Sequence, residues 1–226
     1  MDLSSDQERR LRELLTVFLV ENKKLNLSAY RTEETCWVGN ILDSLPAVEL
    51  LRLRAAPVTL RVLDVGMGGG FPLLPLALLL PDTRFTGLDS VKKKIDAVQR
   101  IVNALELKNV HLLVGRAEEL GQDAEYREQF DVVLSRAVAD LPTLLEFCSP
   151  FARVGGNVIA WKSLLIEEEM TRSIQARMQL QCRLVDHREY ALPGDWGRRQ
   201  LLIFEKIKTL PREFPRRVGI PKKEPL

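Results

Sequence analysis

The 226-residue sequence predicts an α/β fold: a mostly parallel sheet covered by helices on both faces, an antiparallel last strand, and a helical extension in front. Three observations predict it. From residue 60 onward, short apolar or β-branched runs recur as RVLDV, RFTGLD, NVHLLVG, FDVVLS and GNVIAW. The first four are separated by helix-patterned stretches such as VKKKIDAVQRIVNALEL, the alternation that builds a parallel sheet. The first run leads into GMGGGFP (66–72), where five of seven residues are glycine or proline, as where a strand hands its backbone N–H groups to a nucleotide-like ligand before a helix.

The elements follow in order. Ser5 and Glu8 have the spacing of a capping box, and Leu11, Leu14, Leu15, Phe18 and Leu19 follow at helical intervals, so the first element is an amphipathic helix. A second helical stretch covers about 33–53, with Pro46 as a kink or boundary. After the alternating region comes a helix near 166–180, and then CRLVDHREYAL and RRQLLIFEKI as an antiparallel pair. Residues 206–226 carry seven lysines and arginines against two glutamates, with four prolines, which predicts an extended basic tail on the surface or reaching outward. The expected organisation is a helical extension over 1–56, the α/β domain over 57–207 and the basic tail over 208–226.

Composition narrows the setting. The net charge of +2 is close to neutral, so basic character resides in particular stretches rather than in the whole chain. Cys36, Cys148 and Cys182 are far apart and in no Cys-x-x-Cys pair, which predicts neither a zinc site nor a disulfide framework. The charged start MDLSSDQERRLREL is unlike a signal peptide, and the apolar stretch FPLLPLALLLP is too short to span a bilayer. A cytoplasmic protein with no metal and no membrane partner is expected, as a monomer.

The glycine spacing selects the ligand. Dinucleotide sites use G-x-G-x-x-G, whose third glycine is here Phe71. The pattern present, Asp64-x-Gly66-x-Gly68-x-Gly70, is instead the loop of S-adenosylmethionine-dependent methyltransferases. Asp89 ends the next strand about twenty residues on, where a carboxylate accepts from both ribose hydroxyls or caps the helix that follows. In VGRAEEL, Ala117 and Glu118 stand where a backbone N–H and an acid can read an adenine edge; Glu118 is equally suited to facing a helix dipole.

Several stretches together resemble the bacterial small-subunit rRNA methyltransferase G family, also called glucose-inhibited division protein B. They are NKKLNLSAYR (22–31), ILDSL (41–45), DVGMGGGFPLLPLA, LDSVKKK, GRAEEL, SRAVADL and FPRRVGIPKKEPL. The resemblance spans nearly the whole chain. It implies the Rossmann-like methyltransferase sandwich, S-adenosyl-L-methionine as cofactor with S-adenosyl-L-homocysteine as product, and methylation of a guanine of 16S rRNA on ring nitrogen 7, with rRNA or the small ribosomal subunit as partner. It places the cofactor against Gly66, Phe71, Ala117, Glu118 and Arg136, to which the residue argument adds Gly68 and Asp89. This sequence departs from the family at Met67, Gly69 and Leu73, at Gly39 and Asn40 where a Lys-His pair is common, and at Gln200 where His is frequent; if those positions touch RNA, recognition has shifted.

Nitrogen 7 of guanine carries a lone pair and no proton, so its methylation needs alignment more than acid or base groups. The sequence fits: it holds no Asn/Asp-Pro-Pro-Tyr/Phe stretch for an exocyclic amine and no Pro-Cys for attack on a pyrimidine. Arg136 follows FDVVLS at the carboxyl end of a central strand, the ligand rim of open sheets, where it could clamp the cofactor carboxylate, hold the guanine or a phosphate, or form a surface ion pair. Lys162 ends the fifth strand on the same rim. Lys92, Lys93 and Lys94 after Asp89, Arg199, and Arg216 and Arg217 in the tail are candidate phosphate contacts. Trp161 and Trp196 could stack on bases, though core packing suits both; His111 and His187 read as structural. Open alternatives are another RNA or small-molecule acceptor, or a non-catalytic RNA-binding relative.

Overall fold

The computed structural model describes residues 3–54 and 59–226; the expected boundary between residues 56 and 57 lies outside them. Helix α1 (Ser5–Leu25) starts from a capping box one residue earlier than expected, formed by Ser4 and Gln7, because glutamine accepts from the cap N–H as well as glutamate does. Its Leu11, Leu14, Leu15 and Phe18 are buried, as the 3.6-residue period requires. The second helical stretch is broken into α2 (Glu33–Cys36), a wide π-helical turn (Trp37–Ile41), a tight 3-10 turn (Leu42–Ser44) and α3 (Ala47–Arg54). Pro46, which donates no N–H, separates the last two.

The sheet has seven strands among the described residues: β1 (Arg61–Val65), β2 (Arg84–Asp89), β3 (Val110–Val114), β4 (Phe130–Arg136), β5 (Ala152–Ser163), β6 (Cys182–Ala191) and β7 (Arg198–Lys206), in the order β3-β2-β1-β4-β5-β7-β6. The first five run parallel. β7 inserts antiparallel between β5 and β6, so the last two strands pair as expected while the penultimate one takes the edge. Between strands lie α4 (Leu73–Leu79), α5 (Lys92–Ala104), α6 (Ala117–Leu120), α7 (Leu141–Cys148) and α8 (Glu167–Gln179).

Side chains alternate along each strand and feed two cores. Val62, Leu134 and Ile159 pack with α1, α3, α4 and α5 on one face; Leu63, Val65, Val133 and Val158 pack with α7 and α8 on the other. The helical extension thus shares one core with the sheet, and Glu21 of α1, bonded to Lys24 and Arg100, ties it to α5. The three cysteines are buried free thiols.

The tail is not the extended arm expected. Leu210 and Phe214 are buried in the second core, and a short helix α9 (Ile220–Lys223) follows. A proline-rich segment outside any ladder leaves its carbonyls to be satisfied by side chains. Arg127 donates to the carbonyls of Leu210, Pro211 and Phe214, and Gln122 to those of Arg212 and Pro215. Lys206, counted among the tail charges, is the fully buried end of β7, bonded to the Ser149 carbonyl and Glu128; burial lowers its pKa.

Candidate active site

At the carboxyl ends of β1, β2 and β3, the location where ligands bind in open α/β sheets, lies a cleft of about 490 Å³. Gly66 follows β1 with φ +73°, and a Cβ there would come within 2.6 Å of Val138, so the turn and its neighbour both demand glycine. The loop is held from the next strand. Asp89 Oδ2 accepts from Gly68 N at 3.0 Å and Oδ1 from Val91 N at 2.8 Å. Asp89 is therefore both a helix-entry acceptor and the brace of the glycine loop, and its carboxylate lines the cleft.

Gly66, Asp89, Ala117 and Glu118 come together in that lining, with the apolar Leu88 and Val138. Carboxylates beside apolar walls on a glycine turn fit an adenosine moiety: acids accept from hydroxyls or an amine, and the walls bury the base. Gly68, Phe71 and Arg136 stand outside the lining. Phe71 is buried with its ring edge-on to Phe18 of α1, centroids 4.8 Å apart; it supports the loop from below. Beneath the loop Asp64 is fully buried: Oδ2 accepts from Leu73 N, and Oδ1 has no partner among the described residues. Burial, and to a smaller extent the Asp89 charge, push its pKa up to about 7 against the opposing pull of Arg136 and the Leu73 N–H.

Arg136 is not a free rim cation. Its guanidinium donates to Asp43 Oδ2 at 2.9 Å, to the Gly39 carbonyl at 3.1 Å and to Asn40 Oδ1 at 3.4 Å, locking the π-helical turn onto the end of β4. Lys162, likewise expected on the rim, is engaged by the Ala139 carbonyl and Glu169 and so pins the turn after β4. Arg216 lies in a two-pronged pair with Glu146, a fully buried carboxylate that needs a counter-charge. Of the lysine triplet only Lys94 reaches the cleft; Lys92 pairs with Asp96, and Lys93 is exposed. Arg217 is exposed, and Arg199 lines a second cleft with Tyr30 and Trp196.

The departures from the family pattern face inward. Asn40 is buried against Ser28, and Gln200 is buried with its amide donating to the Ser163 carbonyl. At Gly39 a Cβ would come within 2.3 Å of the Tyr30 ring and 2.8 Å of Trp196, so the absent side chain lets those two rings meet edge to face, centroids 5.1 Å apart. Trp161 is buried, its indole N–H on the Asp43 carbonyl. Sequence reasoning missed Val91, Phe147, Val218, Gly219 and Lys222, which also line this cleft; the last three arrive from the tail, and no local pattern signals them.

Among the described residues no group of three His, Cys, Asp or Glu side chains could hold a metal, and no helix is long and apolar enough to cross a membrane.

Sheet order, glycine turn and strand-end carboxylate define the S-adenosylmethionine-dependent methyltransferase class. An O-methyltransferase from Bacillus cereus in complex with S-adenosylhomocysteine shares the fold at TM-score 0.59 and 18% identity, over 86% of this chain and 91% of that one. The family model for rRNA small subunit methyltransferase G matches residues 7–190. The ribosomal RNA small subunit methyltransferase G of Deinococcus radiodurans is 41% identical over 226 residues, 100% of this chain and 88% of that protein. That of Carboxydothermus hydrogenoformans is 40% identical over 210 residues, 93% and 88% respectively. The chain belongs to the rRNA small subunit methyltransferase G family.

Proposed function

We infer that this protein methylates nitrogen 7 of a guanine in 16S rRNA at the expense of S-adenosyl-L-methionine, acting in the cytoplasm on rRNA or the small ribosomal subunit. The observation that carries the reading is the adenosine-sized cleft in which Asp89 and Glu118 face the glycine turn, within a chain of this family. The cofactor, when bound, supplies an electrophilic methyl on a sulfonium and leaves as a neutral thioether. Asp89 would hold the ribose hydroxyls, and Glu118 with the Ala117 N–H the adenine edge. The acceptor nitrogen has no proton to lose, so the chain's task is alignment and exclusion of water.

Arg136 is proposed as a positioning residue, since its donors are taken up by Asp43, Gly39 and Asn40. Exposed Lys93 and Arg217, with Lys94 and Lys222 at the cleft and Arg199 beside Trp196, are proposed to meet RNA phosphates. Incubation with methyl-labelled cofactor and small subunits from a strain lacking the activity, followed by nucleoside digestion, tests the reading. The label is expected in 7-methylguanosine; label in an amino- or carbon-methylated nucleoside would refute it.

A further inference from the structure

The tail has two parts that do different things. Up to Arg216 it is anchored: Leu210 and Phe214 fill the second core, and Arg216 neutralises Glu146. Beyond Arg216 the chain turns over the cofactor cleft. Val218, Gly219 and Lys222 form part of its lining, facing the same space as Asp89, Ala117 and Glu118.

Two details point to what this part touches. The Gly219 N–H donates to Glu118 Oε1 at 3.0 Å, and Glu118 is only 7% exposed. One oxygen of that carboxylate is thus engaged by the tail, while Oε2 has no donor among the described residues and can accept from a ligand. Val91 and Val218, one from the turn after β2 and one from the tail, are 43% and 45% exposed and line the same cleft. Half-exposed apolar side chains on one cleft lose their contact with water when a flat apolar ring is placed against them.

We propose that residues 218–222 are a clamp on the adenosine half of the cofactor: Val218 covers the base, and the Gly219 N–H fixes the Glu118 carboxylate that reads it. The proposal rests on the cleft being the cofactor site. It joins the basic tail to the cofactor rather than to RNA alone. By reciprocity of linked equilibria, whatever the clamp adds to ligand affinity the ligand returns as order in the clamp.

The test is calorimetric titration of the full chain, and of a chain ending at Arg217, with S-adenosylhomocysteine and with methylthioadenosine, which keeps the adenosine half and lacks the amino-acid end. The truncation retains the Arg216–Glu146 pair and the buried Leu210 and Phe214, and removes buried Pro221, whose carbonyl accepts from Thr143, and Leu226 at the second core. Loss of the Gly219–Glu118 hydrogen bond and of the Val218 wall at the cleft is expected to weaken both ligands by about tenfold and to the same degree. Trypsin should cleave the full chain after Lys222 or Lys223 more slowly when S-adenosylhomocysteine is present. Equal affinities in the full and truncated chains would overturn the clamp, as would a loss confined to S-adenosylhomocysteine, which would put the tail at the amino-acid end. A full chain that binds neither ligand would instead refute the cleft assignment itself. Should the truncated chain not fold, Val218→Asp, a change at a half-exposed side chain, is titrated in the same way; unchanged affinity for methylthioadenosine there overturns the proposal.

Discussion

Two aspartates set the glycine loop from opposite sides. Asp89 accepts from one glycine-loop N–H, Gly68, and from Val91 at the entry to α5, and faces the cleft, so Asp89→Ala removes charge-assisted bonds worth roughly 1.5 to 3 kcal/mol each. Affinity for S-adenosylhomocysteine should fall by at least about tenfold on calorimetric titration. Asp64 acts beneath the loop. Its pKa is raised from 3.8 to about 7 in the folded chain, first of all by burial. A carboxyl that holds its proton more tightly when folded makes the native state bind more protons than the unfolded one between those values. Its contribution is therefore fully present below about pH 4 and is lost as pH rises toward 7. Asp64→Asn keeps an acceptor for Leu73 N and cannot ionise. The stability of the Asn variant relative to the parent should improve by up to about 1.4 kcal/mol per pH unit across that window. Denaturant unfolding at pH 5 and pH 7.5 measures it, and a gap that does not move with pH would show that Asp64 is not raised.

At the scale of elements, two arginines join segments that the sequence separates widely. Arg136 and Asp43 bind the end of β4 to the π-helical turn. Asp43 also accepts from Tyr190 of β6 at 2.6 Å and, through its carbonyl, from Trp161 of β5. Burial and the Asp43 carboxylate keep the Tyr190 hydroxyl protonated well above the usual phenol range, so it acts as a donor throughout. Arg136→Lys retains a charge for Asp43 but lacks the fork that also reaches Gly39 and Asn40. A lower melting temperature together with reduced turnover is expected, and turnover lost at unchanged melting temperature would argue for direct contact with substrate. Arg216→Ala leaves Glu146 buried and unpaired, at a cost of about 3 to 5 kcal/mol. Replacing both by apolar residues, Arg216→Met with Glu146→Leu, should recover most of that stability; thermal unfolding of the three chains decides.

Across the whole molecule the charge is nearly balanced, +2 in 226 residues, and much of the apparent basic surface is spent internally. Lys206, Lys162, Arg127, Arg136 and Arg216 all serve protein carbonyls or carboxylates. Lys93 and Arg217, by contrast, are exposed, and under the proposed function they meet RNA phosphates. Lys93→Ala and Arg217→Ala should each weaken RNA binding at low salt and reduce the slope of log affinity against log salt by about one, without altering S-adenosylhomocysteine affinity. Binding assays across a salt series provide the check, and an unchanged slope would place the RNA elsewhere.

The sequence by itself determined what local periodicity and turn chemistry can encode: α1 from its leucine spacing, each parallel strand from its apolar run, the glycine turn from Gly66 and its neighbours, and the carboxylate Asp89 that ends the next strand. Those signals are short-range, since strand and helix periods and glycine requirements are read within a few residues. Tertiary structure alone decided which partners distant charges find. It gave Arg136 to Asp43, 93 residues away, and Arg216 to Glu146, 70 residues away, because a buried charge takes whichever counter-charge the fold brings beside it. It also made a packed strap of what composition reads as a solvated tail. Phe214 and Leu210 found an open edge of the second core, and Arg127 and Gln122 took the carbonyls that a proline-rich segment cannot pair within itself.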